Sequence, residues 1–275
     1  MNDTVARYEK HPVLHWNRSD SGSEQQGLIG EEPLSIRIQG NPYSVVMRTP
    51  GDEIPHVAGF CLAEGIVDTP DDITSLAFCD GSDTNVVTVT LKPSRRDGIS
   101  EILDRRGYIS QTSCGLCGKE IVDDLYQALN PMADNTRIEM DKARKCLDKL
   151  SSQQPLREKT RAAHAAVLYS SGYQLLATAE DVGRHNALDK VVGKLFLDRK
   201  LAQADLLVLS SRISYELVQK AARARIPVIV AMSRPTRLAV TLAEKLNMTL
   251  ACHADGDGLY VFCGKNRLVP HRISP

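Results

Sequence analysis

Two cysteines three residues apart, Cys114 and Cys117, sit in the run Thr112-Ser113-Cys114-Gly115-Leu116-Cys117-Gly118. A thiol pair at this spacing admits four readings. A structural zinc site needs a second pair of ligands at similar spacing, and Cys252, His253 and Cys263 do not supply a convincing one. A thioredoxin-type redox motif opens a helix directly after the first strand of a βαβ unit, which this pair does not. Buried structural cysteines are the third reading, against which Gly115 and Gly118 predict a mobile loop poorly suited to a core. The fourth is nucleophilic sulfur chemistry. A cysteine just before a helix N-terminus, with Lys119 close by, is biased toward its thiolate, which attacks a disulfide or accepts sulfane sulfur.

A second group of residues suits anions. Three predicted strand-to-helix junctions read Glu180-Asp181-Val182-Gly183-Arg184-His185-Asn186, Ser210-Ser211-Arg212-Ile213-Ser214 and Met232-Ser233-Arg234-Pro235-Thr236. In open α/β sheets such junctions lie at the carboxyl ends of the strands, where ligands bind. Each offers free backbone N–H groups at a helix start together with one arginine, a combination that suits phosphate. A single Ser-rich junction reads as plain helix capping; three, each with an arginine, point to an anionic ligand. Neither standard glycine-rich phosphate motif is present. His185, beside Arg184, is the histidine best placed for chemistry, and a helix-start residue bonding the backbone is an equal reading. His164, ahead of a strand, is ambiguous in the same way.

The elements that must position these residues follow from periodicity. Residues 1–27 are polar and aperiodic and predict a mobile tail. Residues 28–112 predict a small α+β unit: strands near 34–38 and 43–47, a helix from Ile54 to Leu62 ended by Gly65, and strands at 72–78 and 84–91. A short helix at 99–105, a helix over 118–130 and another over 137–150 follow. From Ala163, short apolar runs alternate with helical patterns at 186–199, 214–224 and 236–246, which predicts a largely parallel sheet covered on both faces. Residues 113–275 therefore read as one α/β unit with the thiol pair at its start.

Composition narrows the function classes. Lys plus Arg equals Asp plus Glu, at 34 each, so no overall field recruits nucleic acid or an anionic membrane. No stretch has the length of a spanning helix or a signal core. Seven cysteines, an odd number unevenly spaced in 275 residues, predict a reduced, cytoplasmic protein.

Several runs together resemble the FdhD/NarQ family. Glu32-Pro33-Leu34, Met47-Arg48-Thr49-Pro50-Gly51-Asp52, Gly59-Phe60 and Glu64-Gly65-Ile66 look like its N-terminal signature, and Ser113-Cys114-Gly115-Leu116-Cys117-Gly118 like its central motif. The run from Glu180 to Lys190 resembles its most diagnostic stretch, continued by Arg212-Ile213-Ser214, Glu216, Gln219-Lys220, Pro235-Thr236 and Thr249-Leu250.

The resemblance implies a formate dehydrogenase accessory protein, a sulfurtransferase passing persulfide sulfur from a cysteine desulfurase to the molybdenum cofactor. It implies a three-layer C-terminal domain similar to cytidine deaminases but without their zinc ligands, and no structural metal. It further implies a homodimer that binds Mo-bis(molybdopterin guanine dinucleotide), with GDP or GMP as the recognisable moiety. Carried onto this sequence, Cys114 is the persulfide carrier and Cys117 its assistant. The cofactor contacts fall on Arg184, His185, Arg212, Ser214, Arg234 and the segment His253-Ala254-Asp255-Gly256-Asp257-Gly258. The chain departs from the family pattern at Arg161-Ala162-Ala163-His164-Ala165, where Gly-Gly-Thr-His-Ala is usual. It departs also at Ser211, at Arg234, and at Asp255 and Asp257, where basic residues are common. The alternative is a molybdenum-cofactor chaperone in which the cysteines carry no sulfur.

Overall fold

A computed structural model describes residues 7–16, 21–80, 83–98 and 129–269. Cys114 and Cys117, the helix predicted at 99–105 and nearly all of that predicted over 118–130 lie outside the described residues.

Where the sequence predicts a polar tail, β1 (Tyr8–Trp16) and β2 (Ser21–Ile29) pair as an antiparallel hairpin. Nearly every side chain of the two strands is exposed, so no apolar alternation announces them. Backbone pairing holds the hairpin, and its base docks on residues that precede the large sheet. The ammonium of Lys159 lies 4.8 Å from the centroid of the Tyr8 ring, and Gly27 abuts the Lys159 carbonyl.

The strands and helix expected between residues 34 and 91 form. Strands β3 (Glu32–Ile38), β4 (Asn41–Arg48), β5 (Ile73–Asp80) and β6 (Asp83–Leu91) form a sheet in the order β4-β3-β6-β5. Alternate residues Leu34, Ile36 and Ile38 of β3 and Val87, Val89 and Leu91 of β6 are buried, as a period of two requires. They share a core with Val57, Phe60 and Cys61 of α1 (Glu53–Ala63). Gly65, at φ 74°, turns the chain out of that helix. A short helix, α2 (Pro93–Gly98), follows β6.

The larger unit follows with β7 (Ile138–Glu139), α3 (Met140–Asp148), α4 (Pro155–Thr160), β8 (His164–Tyr169) and β9 (Leu175–Asp181). Next come α5 (Arg184–Leu197), β10 (Leu206–Leu209), α6 (Tyr215–Arg223), β11 (Val228–Ala231) and α7 (Arg237–Lys245). The chain closes with β12 (Thr249–His253), β13 (Leu259–Cys263) and β14 (Leu268–Val269). Six strands make one sheet in the order β13-β12-β11-β10-β8-β9. The sheet is mixed rather than largely parallel: only β10–β11 and β11–β12 run parallel. Antiparallel neighbours need no crossover helix. Accordingly β8 and β9 are joined by a turn in which Tyr173 N–H donates to the Ser170 carbonyl, and β12 and β13 by residues 254–258.

The sheet is covered on both faces. Ala166, Leu168, Leu207, Leu209, Ile229 and Leu250 join the core that holds α1, α5, α6 and α7. Their neighbours Ala165, Val167, Leu206, Val208, Val228 and Val230 pack against Ala143, Cys146 and Leu147 of α3 and against Ile138 and Leu268 of the β7–β14 pair. The small unit and the large sheet share the first of these cores. Their closest approach is between α1 and α5, where a Cβ on Gly59 would lie 2.0 Å from the Asp189 carbonyl oxygen and one on Gly193 1.7 Å from that of Pro55. Among the described residues no helix is long and apolar enough to cross a membrane.

Candidate functional site

Strand directions gather the predicted residues along one edge. The carboxyl ends of β9, β10, β11 and β12 point the same way, and the register sets the start of β8 (His164) opposite Asp181 and the start of β13 (Leu259) opposite His253. Backbone bonds stitch the junctions side by side: Met232 N–H donates to the Leu209 carbonyl, and Thr236 N–H to the Ile213 carbonyl at 3.0 Å. The Ser210 hydroxyl accepts from Ala165 N–H at 2.8 Å, which ties the β10 junction to the start of β8.

Arg184, Arg212 and Arg234 occupy this edge, and none forms an ion pair among the described residues. Arg184 is half-buried, with its Nε shielded and lacking a hydrogen-bond partner. Arg212 is exposed. Arg234 lies over the Tyr260 ring, 5.5 Å from its centroid, a stacked geometry that suits a planar guanidinium. The predicted segment 253–258 is the β12–β13 turn on the same edge. Ala254 N–H closes it onto the Gly258 carbonyl, Gly256 takes φ 74°, and Asp255 to Gly258 are exposed. Arg161, at φ 57°, caps the end of α4 close to the start of β8 and is exposed.

His185 bridges two helix starts. Its Nε2 lies 3.4 Å from Ser214 Oγ and 3.7 Å from Glu216 Oε2, on the first turn of α6. The hydrogen bond to His185 is the main reason that the Glu216 carboxyl is pulled down to about 2, against a smaller opposing effect of burial. Sequence reasoning gave Glu216 no role, because the pairing joins residues on separate helices. His164 is half-buried, and burial first, then the charges of Arg184, Arg157, His185 and Arg212, hold its imidazole below the ordinary value.

The run Glu180 to Lys190 divides by direction. Arg184 and His185 face the edge, whereas Asp181, Asn186 and Lys190 join the two units. Asp181 is fully buried; its carboxylate pairs with Lys190 at 2.7 Å and accepts from Thr49 N–H, Gly183 N–H and Asn186 Nδ2. Lys190 Nζ also donates to the Thr49 carbonyl, and Asn186 Nδ2 to that of Met47. Asp189 pairs with Lys220 at 2.8 Å. The backbone carrying Arg184 and His185 is thereby held from both sides. The Cys114–Cys117 pair lies outside the described residues, so its placement against this edge forms no part of the geometry.

A family model described as the FdhD/NarQ family matches residues 29–269. A sulfur carrier protein FdhD from Streptomyces coelicolor is 36% identical over 270 residues, covering 94% of this chain and 95% of that relative. One of the same name from Mycobacterium tuberculosis is 36% identical over 268 residues, covering 93% and 96%. A solved structure from Desulfotalea psychrophila, assigned as a candidate formate dehydrogenase accessory protein, superposes with a TM-score of 0.76 at 22% identity. It covers 96% of this chain and 100% of that one, and at this identity the likeness is one of fold.

Proposed function

The chain belongs to the FdhD/NarQ family, and from that premise we propose that it is a sulfur carrier serving formate dehydrogenase. The observation that carries the cargo side of this reading is the row of three arginines on one sheet edge, without carboxylate partners among the described residues. From β9 to β11, the strands that lead into the three arginines, the edge crosses three strand spacings, roughly 14 Å at about 4.8 Å each. That length suits an extended ligand with separated phosphoryl groups better than a lone phosphate. The substrate of this reading is Mo-bis(molybdopterin guanine dinucleotide). Arg184, Arg212 and Arg234 hold its phosphates, with His185, Ser214 and the 253–258 turn beside them.

On the sulfur side, the Cys114 thiolate takes the outer sulfur of a cysteine desulfurase persulfide, which leaves the desulfurase as a thiol and Cys114 as a persulfide. The Cys117 thiolate then attacks the Cys114 Sγ. A Cys114–Cys117 disulfide forms, and the outer sulfur leaves as hydrosulfide, reduced by the two electrons that the thiols give up. The hydrosulfide replaces an oxo group on molybdenum, and the oxygen leaves as water. This chemistry fits the cytoplasm, where thiols stay reduced, and a homodimer would present two such edges.

The test is mass spectrometry of the full chain after incubation with a cysteine desulfurase and cysteine. A mass increase of one sulfur on Cys114 is expected, with loss of formate dehydrogenase activity in cells carrying Cys114→Ala. Full activity from a Cys114→Ala, Cys117→Ala double variant would mean that the protein carries cofactor and not sulfur.

A further inference from the structure

His164 stands at the start of β8, between the β9–α5 and β10–α6 junctions, and the reading above gives it no part. Its Nδ1 is shielded from solvent and has no hydrogen-bond partner among the described residues, and the same is true of Arg184 Nε. The basic side chains of Arg157 on α4, Arg184 and His185 on α5, and Arg212 at the β10–α6 junction all disfavour a proton on it. The acidic groups nearest in the chain have other partners, Asp189 pairing with Lys220, while Glu158 of α4 is exposed. Asp181 is bonded to Lys190, Thr49, Gly183 and Asn186. Glu180 accepts from the backbone N–H groups of Leu156 and Arg157, and Glu216 lies against His185. A half-buried imidazole with a shielded nitrogen, in a setting made electropositive by four basic side chains, suits an anion.

We propose that His164 contacts a phosphoryl oxygen of the ligand on this edge, between Arg184 and Arg212, and that it takes up a proton as the ligand binds. The inference rests on the reading that this face holds phosphoryl groups, and it adds a residue and a proton linkage to it. In the free protein, burial foremost and then the neighbouring basic groups hold the imidazole below its ordinary value. An oxyanion seated among them offsets that repulsion, and the protonated ring then donates a charge-assisted hydrogen bond to it. Linkage fixes the sign. Because the ring binds its proton more tightly in the complex than in the free protein, affinity for the anion rises as pH falls through that interval.

The experiment is isothermal titration calorimetry of the full chain with GDP, and separately with inorganic pyrophosphate. It is run near about pH 6 in buffers of different ionisation enthalpy. Uptake of a fraction of a proton per ligand is expected with both probes, and GDP binding should weaken roughly tenfold from about pH 5.5 to about pH 8. His164→Gln should abolish the uptake and flatten the pH profile, while Arg212→Ala weakens binding at every pH. Wild-type binding without proton uptake, or uptake with GDP alone, overturns the assignment of His164 and leaves the sulfur carrier reading standing. Retention of the wild-type uptake by His164→Gln does the same. If neither probe binds at any pH, both this inference and the placement of the cargo on this edge fall, and the persulfide test on Cys114 still decides the sulfur chemistry.

Discussion

Lys190 Nζ lies 2.7 Å from Asp181 Oδ2, and neither side chain has any exposure to solvent. The pair sits in the stretch that most strongly marks the family resemblance, yet it faces the interior. It fastens the loop at Thr49 to the strand end that carries Arg184 and His185. Two charges out of water are tolerable because each is bonded to the other and to backbone groups.

Lys190→Met strands the Asp181 carboxylate in the interior. A loss of about 3–5 kcal/mol in unfolding free energy is expected, the range for breaking a buried pair from one side. Urea denaturation measures it. The double variant Asp181→Asn, Lys190→Met should cost less than the sum of the two single changes. Additive costs would mean that the pair is not coupled.

Acid should destabilise the protein below about pH 6.5 through His56. The ring is fully buried, and burial foremost, then Lys190, Lys220 and Arg48, hold it well below the ordinary value against a smaller opposing effect of Asn186. The unfolded chain takes a proton near about pH 6.5 that the folded chain refuses, so stability is intact above that pH and falls below it. The slope reaches at most about 1.4 kcal/mol per pH unit for one histidine. In His56→Leu the dependence of unfolding free energy between about pH 6.5 and about pH 5 should flatten. An unchanged slope would assign the effect to other groups.

Gly193→Ala should unseat α5 from α1, because the added methyl would meet the Pro55 backbone and no flexible side chain can yield. A cost of about 1–3 kcal/mol or more is expected from thermal melts. Gly22→Ala, where a Cβ would meet nothing within 4 Å, is the control.

Thiol labelling should be sparse among the described cysteines. Cys61, Cys146, Cys252 and Cys263 are buried, and Cys79 is exposed. Burial raises the thiols of Cys146 and Cys252, and pushes that of Cys263 up to about 11. With iodoacetamide at neutral pH, peptide mapping should find Cys79 modified well before those four. Rapid modification of Cys252 would contradict the packing of β12.

Much of this architecture can be read from apolar spacing. The α1 pattern from Ile54 to Leu62 and the three helices after β9, β10 and β11 fall within about three residues of their expected bounds. Alternation fails at β1 and β2, whose side chains are exposed on both faces, and the pair is held by backbone bonds that leave no mark in residue type. The direction of β9 was legible in one respect, since no helical pattern separates it from β8, but the run of apolar segments suggested parallel order more strongly. At the site, the arginine junctions stand out because residue type and position agree. Glu216 and Tyr260 do not, because their partners His185 and Arg234 come from other elements. The two roles within the Glu180–Lys190 run separate only once the inward and outward faces are known.

Gly59 and Gly193 belong to units that look independent as sheets, yet each helix is shaped to the bare backbone of the other. The two halves are therefore not exchangeable modules. In a chimera of two relatives joined anywhere between residues 66 and 163, α1 and α5 come from different parents, and the fit survives only if both parents keep the same pair of small residues at the same depth. The chain is a single heritable block, and its N-terminal unit can change on the far side of its sheet more freely than on the side that faces α5.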